Sequence, residues 1–190
     1  MPVTRQLVSS TILNVLADPA NGFNVQLRAL AEAYGVANPF EIDWTPGSPN
    51  FAQIYLAPEQ IEFANLIPSD DGVCVLLYTS ISATNAGEER QKPSTFSGPI
   101  MAHVDFILKR KTIRLLRQGA NLPSDAGGNL EQLSNAIEDA FLSTIMAPAV
   151  DWSPVDFNGD FQCAREPFLF TGDGWQSRIP FQLMCEVHAL

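Results

Sequence analysis

Hydrophobic and polar residues along the chain follow two periods, and the helical period is clearest between Leu130 and Met146. Apolar residues recur there every three or four positions, which is the spacing that gives a helix one buried face. Gly127-Gly128 and Asn129 precede the segment, and Asn129 can cap its first turn. Pro148 prevents continuation because it has no N–H to donate. We predict a long amphipathic helix that covers an apolar sheet face.

The same spacing predicts two shorter helices near the N-terminus. The first covers residues 4–17 and ends at Asp18-Pro19. The second follows a turn at residues 20–22, with Asn24 as its cap and Gly35 at its C-terminal stop. Because the connecting turn is tight, the two helices should form a small hairpin that packs on the sheet or on a neighbouring subunit.

Apolar runs and alternation with a period of two predict the strands. Residues 73–81 are apolar on both faces, and residues 100–108 are their predicted partner. The polar segment 82–99 between them has a length that is commonly functional or disordered until bound. Apolar and polar residues alternate over residues 176–188, which predicts a last strand with one buried face. Pro180 places the beginning of that strand at a sheet edge.

Turn residues supply the remaining strand boundaries. Asn158-Gly159 is the strongest two-residue hairpin signal in the chain, and a second turn at residues 171–174 leads into the last strand. The order of elements predicts a single α+β domain over residues 1–190. We expect a mostly antiparallel sheet, an N-terminal helical hairpin and one long amphipathic helix packed on the sheet.

The chain is acidic, with 21 Asp and Glu residues against 11 Lys and Arg residues and a net charge of −10. This balance argues against a general nucleic-acid binder, because the phosphate backbone would be repelled. The apolar fraction of 46 % is typical of a folded globular domain. The first residues lead into no sustained apolar run, so we expect no signal peptide and no membrane span.

Five basic residues lie within nine positions and form a basic patch on this acidic chain: Lys109, Arg110, Lys111, Arg114 and Arg117. The basic patch can be a solvated strand end that protects a sheet edge. Alternatively it contacts an acidic neighbour, and copies of the chain could then bind head to tail. Nucleic acid is a third option, which the lack of interleaved aromatic residues weakens. Glu88, Glu89 and Arg90 form a charged loop tip.

No catalytic, cofactor or metal signature stands out in the sequence. Cys74, Cys163 and Cys185 are an odd number without CxxC spacing, so we expect buried, reduced thiols and neither a disulfide framework nor a zinc site. His103 and His188 are the two histidines, and a catalytic Cys–His pair would need a third orienting group and a pocket. We therefore expect no enzymatic activity, no cofactor and no metal ion.

Four segments carry a resemblance to a known family. They are the opening helix that ends in Leu16-Ala17-Asp18-Pro19, the strand–loop–strand unit at residues 73–108, the helix Asn129–Met146, and the closing run from Asp173 to Phe181. Together they resemble the neck and tail-completion proteins of tailed bacteriophages, the tail terminator group in particular. The resemblance covers most of the chain by the order of its elements and short stretches by residue identity. The chain is longer than the compact members of the group, mostly through residues 36–70.

The resemblance implies a non-enzymatic virion subunit, assembled in the host cytoplasm, that forms a ring, expected to be a hexamer. Such a ring caps the tail tube and joins it to head-side neck or connector proteins, while DNA passes through its channel without specific binding. Residues 82–99 would contact neighbouring proteins and order on assembly. The interface candidates are the basic patch, the charged loop tip, Trp152 and Trp175, although both tryptophans also fit ordinary edge packing.

Two other functions fit the same residues. One is a different α+β adaptor or binding module that acts as a small oligomer on a partner unrelated to virions. The other is a small hydrolase-type enzyme that uses a carboxylate or the His103 region, which predicts a pocket with a perturbed titratable group. Binding to a tail tube would favour the virion subunit, a small fixed oligomer would favour the adaptor, and such a pocket would favour the enzyme.

Overall fold

A mainly antiparallel sheet with helices on one face forms the structure, a computed structural model that describes residues 2–36, 41–44, 54–56, 72–81, 100–111, 130–167, 169–170 and 174–187. The helices are α1 (Pro2–Ala17), α2 (Phe23–Ala33) and α3 (Leu130–Ile145). The strands are β1 (Ile54–Leu56), β2 (Gly72–Ile81), β3 (Ile100–Lys111), β4 (Val155–Cys163), β5 (Leu169–Phe170) and β6 (Gly174–Val187). The predicted α+β class is confirmed.

The strands stand in the order β1-β2-β3-β6-β4, and β5 pairs with β6 off this path. β2 pairs with β3, β3 with β6, and both β4 and β5 with β6, always antiparallel. β1 pairs with β2 in parallel. The predicted partnership of residues 73–81 with residues 100–108 is confirmed. β4 is therefore the last strand on one side of the described sheet.

The face of the sheet toward the helices is apolar. Ala102, Val104 and Phe106 are fully buried there, as the alternation of side chains along β3 requires. The ring of Phe106 stacks on Phe23 of α2 at 5.0 Å between centroids and meets Phe141 of α3 edge-on at 5.5 Å. The described helices and the sheet thus share one hydrophobic core.

Asn24 does not cap the second helix. Gly22 is the N-cap residue of α2, and it makes no side-chain cap hydrogen bond. Asn24 lies in the first turn, where its Nδ2 donates to the carbonyl oxygen of Ile42 at 2.7 Å and its Oδ1 accepts from the Ile42 N–H at 3.1 Å. The amide ties α2 to residues 41–44, and local sequence does not reveal such a long-range contact. Gly35, with φ of 71°, lies just past the end of the helix as predicted.

Asn158-Gly159 does not form the predicted hairpin, because β4 continues through it. β4 pairs with β6 on both sides of a register irregularity between Phe157 and Phe161. Gly159 has φ of 81°, which is the left-handed conformation that Asn-Gly hairpins use. Here the positive φ belongs to a β-bulge, since both flanking segments find their partners on β6.

Pro180 lies where β6 has a ladder partner on one side only, within the described part of the sheet. It lies within β6, opposite Asp105 of β3. β4 ends at Cys163, opposite Phe181, so it offers Pro180 no ladder partner. A proline, which has no N–H to donate, is tolerated here because the ladder between β6 and β4 ends at the adjacent pair, Cys163 and Phe181. The predicted alternation of the strand is confirmed by its four fully buried apolar residues: Ile179, Phe181, Leu183 and Cys185.

Candidate functional site

The face of the sheet that points away from the helices carries a group of polar side chains. The ladder between β2 and β3 places Tyr78 opposite His103, and the ladder between β3 and β6 places Arg178 opposite Ile107. Residues two positions apart on a strand share a face, so Asp105 lies on this face between His103 and Ile107. We define the outer polar cluster as Tyr78, Ser80, His103, Asp105, Glu166 and Arg178.

An ion pair is the most buried part of the outer polar cluster. Arg178 donates to Oδ2 of Asp105 from Nη2 at 2.7 Å and from Nε at 3.2 Å, and to Oε1 of Glu166 from Nη1 at 2.8 Å. The Asp105 side chain is 1 % exposed and the Arg178 side chain is 30 % exposed. Burial raises the pKa of the Asp105 carboxyl, and the hydrogen bonds from Arg178 oppose that rise. Arg178 therefore compensates a carboxylate that burial disfavours.

His103 forms the more accessible part of the cluster. Its ring lies parallel to that of Tyr78, with 4.3 Å between centroids, and its Nε2 is 3.0 Å from Oγ of Ser80. Burial lowers the pKa of His103 below its ordinary value of 6.5, and the nearby Asp105 carboxylate opposes this effect. The imidazole is therefore neutral at pH 7.

The Ser80–His103 pair has two members of a catalytic triad without the third. In a Ser–His–Asp triad, a carboxylate binds the second imidazole nitrogen and orients the ring. Within the described part of the chain no carboxylate hydrogen-bonds His103, and Asp105 is bound to Arg178 instead. The contacts of His103 are thus those of a stacked, hydrogen-bonded and partly buried residue.

The stability of the protein should fall on acidification from about pH 7 to about pH 5, in part through His103. Its pKa in the folded state lies below 6.5, so the unfolded chain binds the proton first and acid favours unfolding. His103→Gln should remove up to about 1.4 kcal/mol per pH unit of this dependence. Urea denaturation at several pH values measures it, and His188→Gln separates the contribution of the second histidine. An unchanged pH dependence in His103→Gln would contradict the assignment.

The first residue of the basic patch, Lys109, is not exposed as the sequence predicts. Lys109 is 5 % exposed, and it lies within β3, opposite Gly72 of β2 and Gln176 of β6. It is therefore neither a solvated strand end nor part of an exposed contact surface. Arg110 and Lys111 occupy the last two positions of β3, opposite Trp175 and Gly174. The remaining candidates lie outside the described residues: Arg114, Arg117, Glu88, Glu89 and Arg90.

Trp152 has the contacts of an edge-packed residue. It is half-buried, and its ring lies 4.9 Å from that of Phe157, centroid to centroid. Both rings pack against the hydrophobic core from the β4 side. Trp175 is placed by its backbone in β6, opposite Arg110.

The three cysteines are free thiols. Burial raises the pKa of Cys74 and of Cys185 to about 12. Burial, with a smaller contribution from Glu138, raises the pKa of the partly buried Cys163 to about 11. Thiols with such pKa values are protonated at neutral pH and therefore react slowly. In the described ranges no group of three His, Cys, Asp or Glu residues is placed to hold a metal ion.

A second candidate surface lies at the β4 side of the sheet. Phe161 of β4 is 38 % exposed, and Met146, directly after α3, is 52 % exposed. Cε of Met146 lies 3.8 Å from the position that a Cβ on Gly159 would occupy, so Met146 stands beside the bulge. Asp156 and Asp160 are exposed on the same strand. We call Met146, Asp156, Asp160 and Phe161 the β4 edge surface.

The sequence indicates His103 but not the residues around it. His103 and Asp105 lie two positions apart on a predicted strand, which indicates that their side chains share a face of the sheet. Arg178 is 73 residues from Asp105 along the chain, and only the register between β3 and β6 brings them together. The sequence does not indicate the β4 edge surface, because the Asn158-Gly159 signal predicts a hairpin where β4 continues through a bulge and pairs with β6 on both sides of it.

Comparisons with known proteins add neither a family nor a structural relative. No family model, no curated protein and no solved structure matches the chain. The helices that the structure describes include none that is long and apolar enough to cross a membrane.

Proposed function

We propose that this chain is a non-enzymatic structural subunit of a virion, which assembles into a ring of the tail terminator kind. The β4 edge surface is the observation that carries the proposal. β4 is the last strand on this side of the described sheet, and exposed apolar side chains on such a strand are a common contact surface between proteins. Monomeric proteins usually blunt such edges with charges and bulges.

The bulge and the carboxylates protect the edge only in part. Gly159 interrupts the ladder, and Asp156 and Asp160 add charge, yet Phe161 and Met146 remain exposed beside them. This combination suits a strand that must stay soluble before assembly and be covered afterwards. The proposal therefore assigns the β4 edge surface to a contact within the assembled particle.

The proposed ring is a hexamer that caps the tail tube and meets head-side neck or connector proteins on its other side. The sheet would line or buttress the channel. A net charge of −10 supports passage of DNA without retention, since like charges repel. The outer polar cluster supports the proposal indirectly, because the buried Asp105 carboxylate is bound to Arg178 and makes no hydrogen bond to His103 among the described residues.

Negative-stain imaging and light scattering of the purified protein, alone and with tubes of the tail tube protein from the same virus, test the proposal. Rings, or extra density at tube ends, with a mass that is a multiple of 20.8 kDa, are the expected result. Single 20.8 kDa particles that ignore the tubes would overturn it. A small fixed oligomer that also ignores the tubes would favour the adaptor alternative.

A further inference from the structure

We infer that the β4 side of the sheet binds a segment of another protein, one that combines apolar side chains with lysine or arginine. The contact surface is the bulge corner, which we define as Met146, Gly159, Asp160 and Phe161. This inference rests on the proposed function, which assigns the β4 edge surface to a contact within the assembled particle. It adds the chemistry of the partner that covers the bulge corner.

The bulge corner contains both of the large apolar side chains that are exposed among the described residues. Met146 is 52 % exposed and Phe161 is 38 % exposed. They come from different elements, yet both lie next to Gly159. Cε of Met146 is 3.8 Å from the position that a Cβ on Gly159 would occupy, and Phe161 is two positions further along β4. Single exposed apolar residues are ordinary, whereas two at one point form a patch that a partner can cover.

Met146 and Phe161 lie on the same side of the sheet. Phe161 pairs with Leu183 of β6, which is fully buried beneath the helices, and paired residues of an antiparallel ladder point to the same face. Met146 directly follows α3, a helix that covers that face. One partner can therefore contact both side chains at once.

The charge at the bulge corner is negative. Asp160 is exposed, and it takes part in no ion pair among the described residues. α3 ends next to the corner without a basic residue in its last turn, so no side chain of that turn compensates the negative end of the helix dipole. Charge complementarity therefore predicts a lysine or arginine beside the apolar side chains of the partner.

A second copy of the chain fits the bulge corner less well than a basic protein does. Copies with a net charge of −10 repel each other, and a two-fold contact would bring the Asp160 side chains of both copies together. The basic side chains that the structure describes are paired or buried within the chain: Arg28 with Glu41, Arg165 with Glu138, Arg178 with Asp105 and Glu166, and Lys109 at 5 % exposure. A separate basic partner supplies the cation that these residues do not.

A short synthetic peptide of alternating lysine and leucine is the probe, tested with the full-length protein. A lysine–serine peptide keeps its charge without the apolar side chains, and a glutamate–leucine peptide keeps the apolar side chains with the opposite charge. We expect the lysine–leucine peptide to bind about tenfold more tightly than either control. Fluorescence anisotropy of labelled peptide measures Kd, and amide chemical shifts should change around residues 146 and 159–161.

Variants of the bulge corner test both parts of the recognition. Met146→Ser with Phe161→Ser should weaken binding of the lysine–leucine peptide about tenfold. Asp160→Asn should weaken it about threefold, as expected for one exposed charge pair. The matched control is Glu131→Gln, which removes an equal charge in the first turn of α3, at the opposite end of that helix, and should leave Kd unchanged. Circular dichroism with thermal melting checks the fold of each variant.

The possible failures are distinguishable. Equal binding of the three peptides, or a Kd that the two serine substitutions leave unchanged, overturns the inference while the proposed function stands. If the lysine–leucine peptide dissolves rings of the unchanged chain and the lysine–serine peptide does not, a second copy occupies the bulge corner and the separate partner is wrong. The proposed function fails separately, if the unchanged chain stays a single 20.8 kDa particle with and without tubes.

Discussion

Phe106→Ala is expected to lower the free energy of unfolding by about 3–5 kcal/mol. The ring of Phe106 is fully buried, and its centroid lies 5.0 Å from that of Phe23, 5.5 Å from that of Phe141 and 6.0 Å from that of Phe181. Truncation removes the side chain at the point where β3, β6, α2 and α3 meet. Close-packed neighbours relax only partly into such a cavity, so the loss exceeds the transfer free energy of the removed atoms.

Urea denaturation of the purified variant measures the effect. Phe106→Leu is the matched control, because it keeps most of the buried volume and should lose clearly less stability than Phe106→Ala. Both variants should retain the native far-ultraviolet circular dichroism spectrum below the transition. A loss of less than about 1 kcal/mol for Phe106→Ala would show that this aromatic contact is not central to the core.

Arg178→Met should destabilise the protein by about 3–5 kcal/mol at pH 7. The substitution keeps much of the aliphatic side chain but removes the guanidinium that donates twice to Asp105. Asp105 is 1 % exposed, so water cannot replace these hydrogen bonds, and the carboxylate is left buried without compensation. Glu166 loses its contact as well, but its side chain is 40 % exposed and hydrated.

The loss of stability that Arg178→Met causes should become smaller as the pH is lowered. Burial already raises the pKa of Asp105 in the folded state above its ordinary value of 3.8, and removal of Arg178 raises it further. A folded-state pKa that is raised means that the folded chain keeps the proton longer than the unfolded chain. Stability is therefore lost as the pH rises through the raised pKa and is recovered below it.

A second substitution provides the control for this interpretation. Asp105→Asn in the Arg178→Met background removes the buried negative charge, and it should recover part of the lost stability at pH 7 and flatten the pH dependence. Thermal or urea unfolding between pH 4 and pH 8 follows both variants. A deficit that does not depend on pH, or a double variant less stable than Arg178→Met, would contradict the assigned role of the ion pair.

β6 connects these stability effects to the proposed assembly. The strand contributes Phe181 to the core and Arg178 to the outer polar cluster, and it pairs with both β3 and β4. Packing on both faces holds it rigid. A rigid β6 therefore holds β4 in place, and β4 carries most of the β4 edge surface that the proposed assembly covers.

The elements with strong local patterns were predictable, and those that depend on distant partners were not. The apolar spacing of residues 130–146 anticipated α3, and the alternation in residues 176–188 anticipated the buried face of β6. The Asn158-Gly159 signal correctly indicates a positive φ at the glycine, but it does not show whether that angle turns the chain or bulges a strand. Pairing with β6, which lies further along the chain, decides that the angle belongs to a bulge.

By itself the sequence determined the helices, most of the strands, the α+β class and the acidic balance of this protein, because periodicity and charge are local or additive properties. Only the tertiary structure decided which side chains meet: Arg178 with Asp105, His103 with Ser80, and Met146 with the bulge at Gly159. It also buried Lys109, which the sequence places in a basic patch. Strand register and edge position arise from pairing between distant segments, and a shift of one residue would move every one of these side chains to the other face.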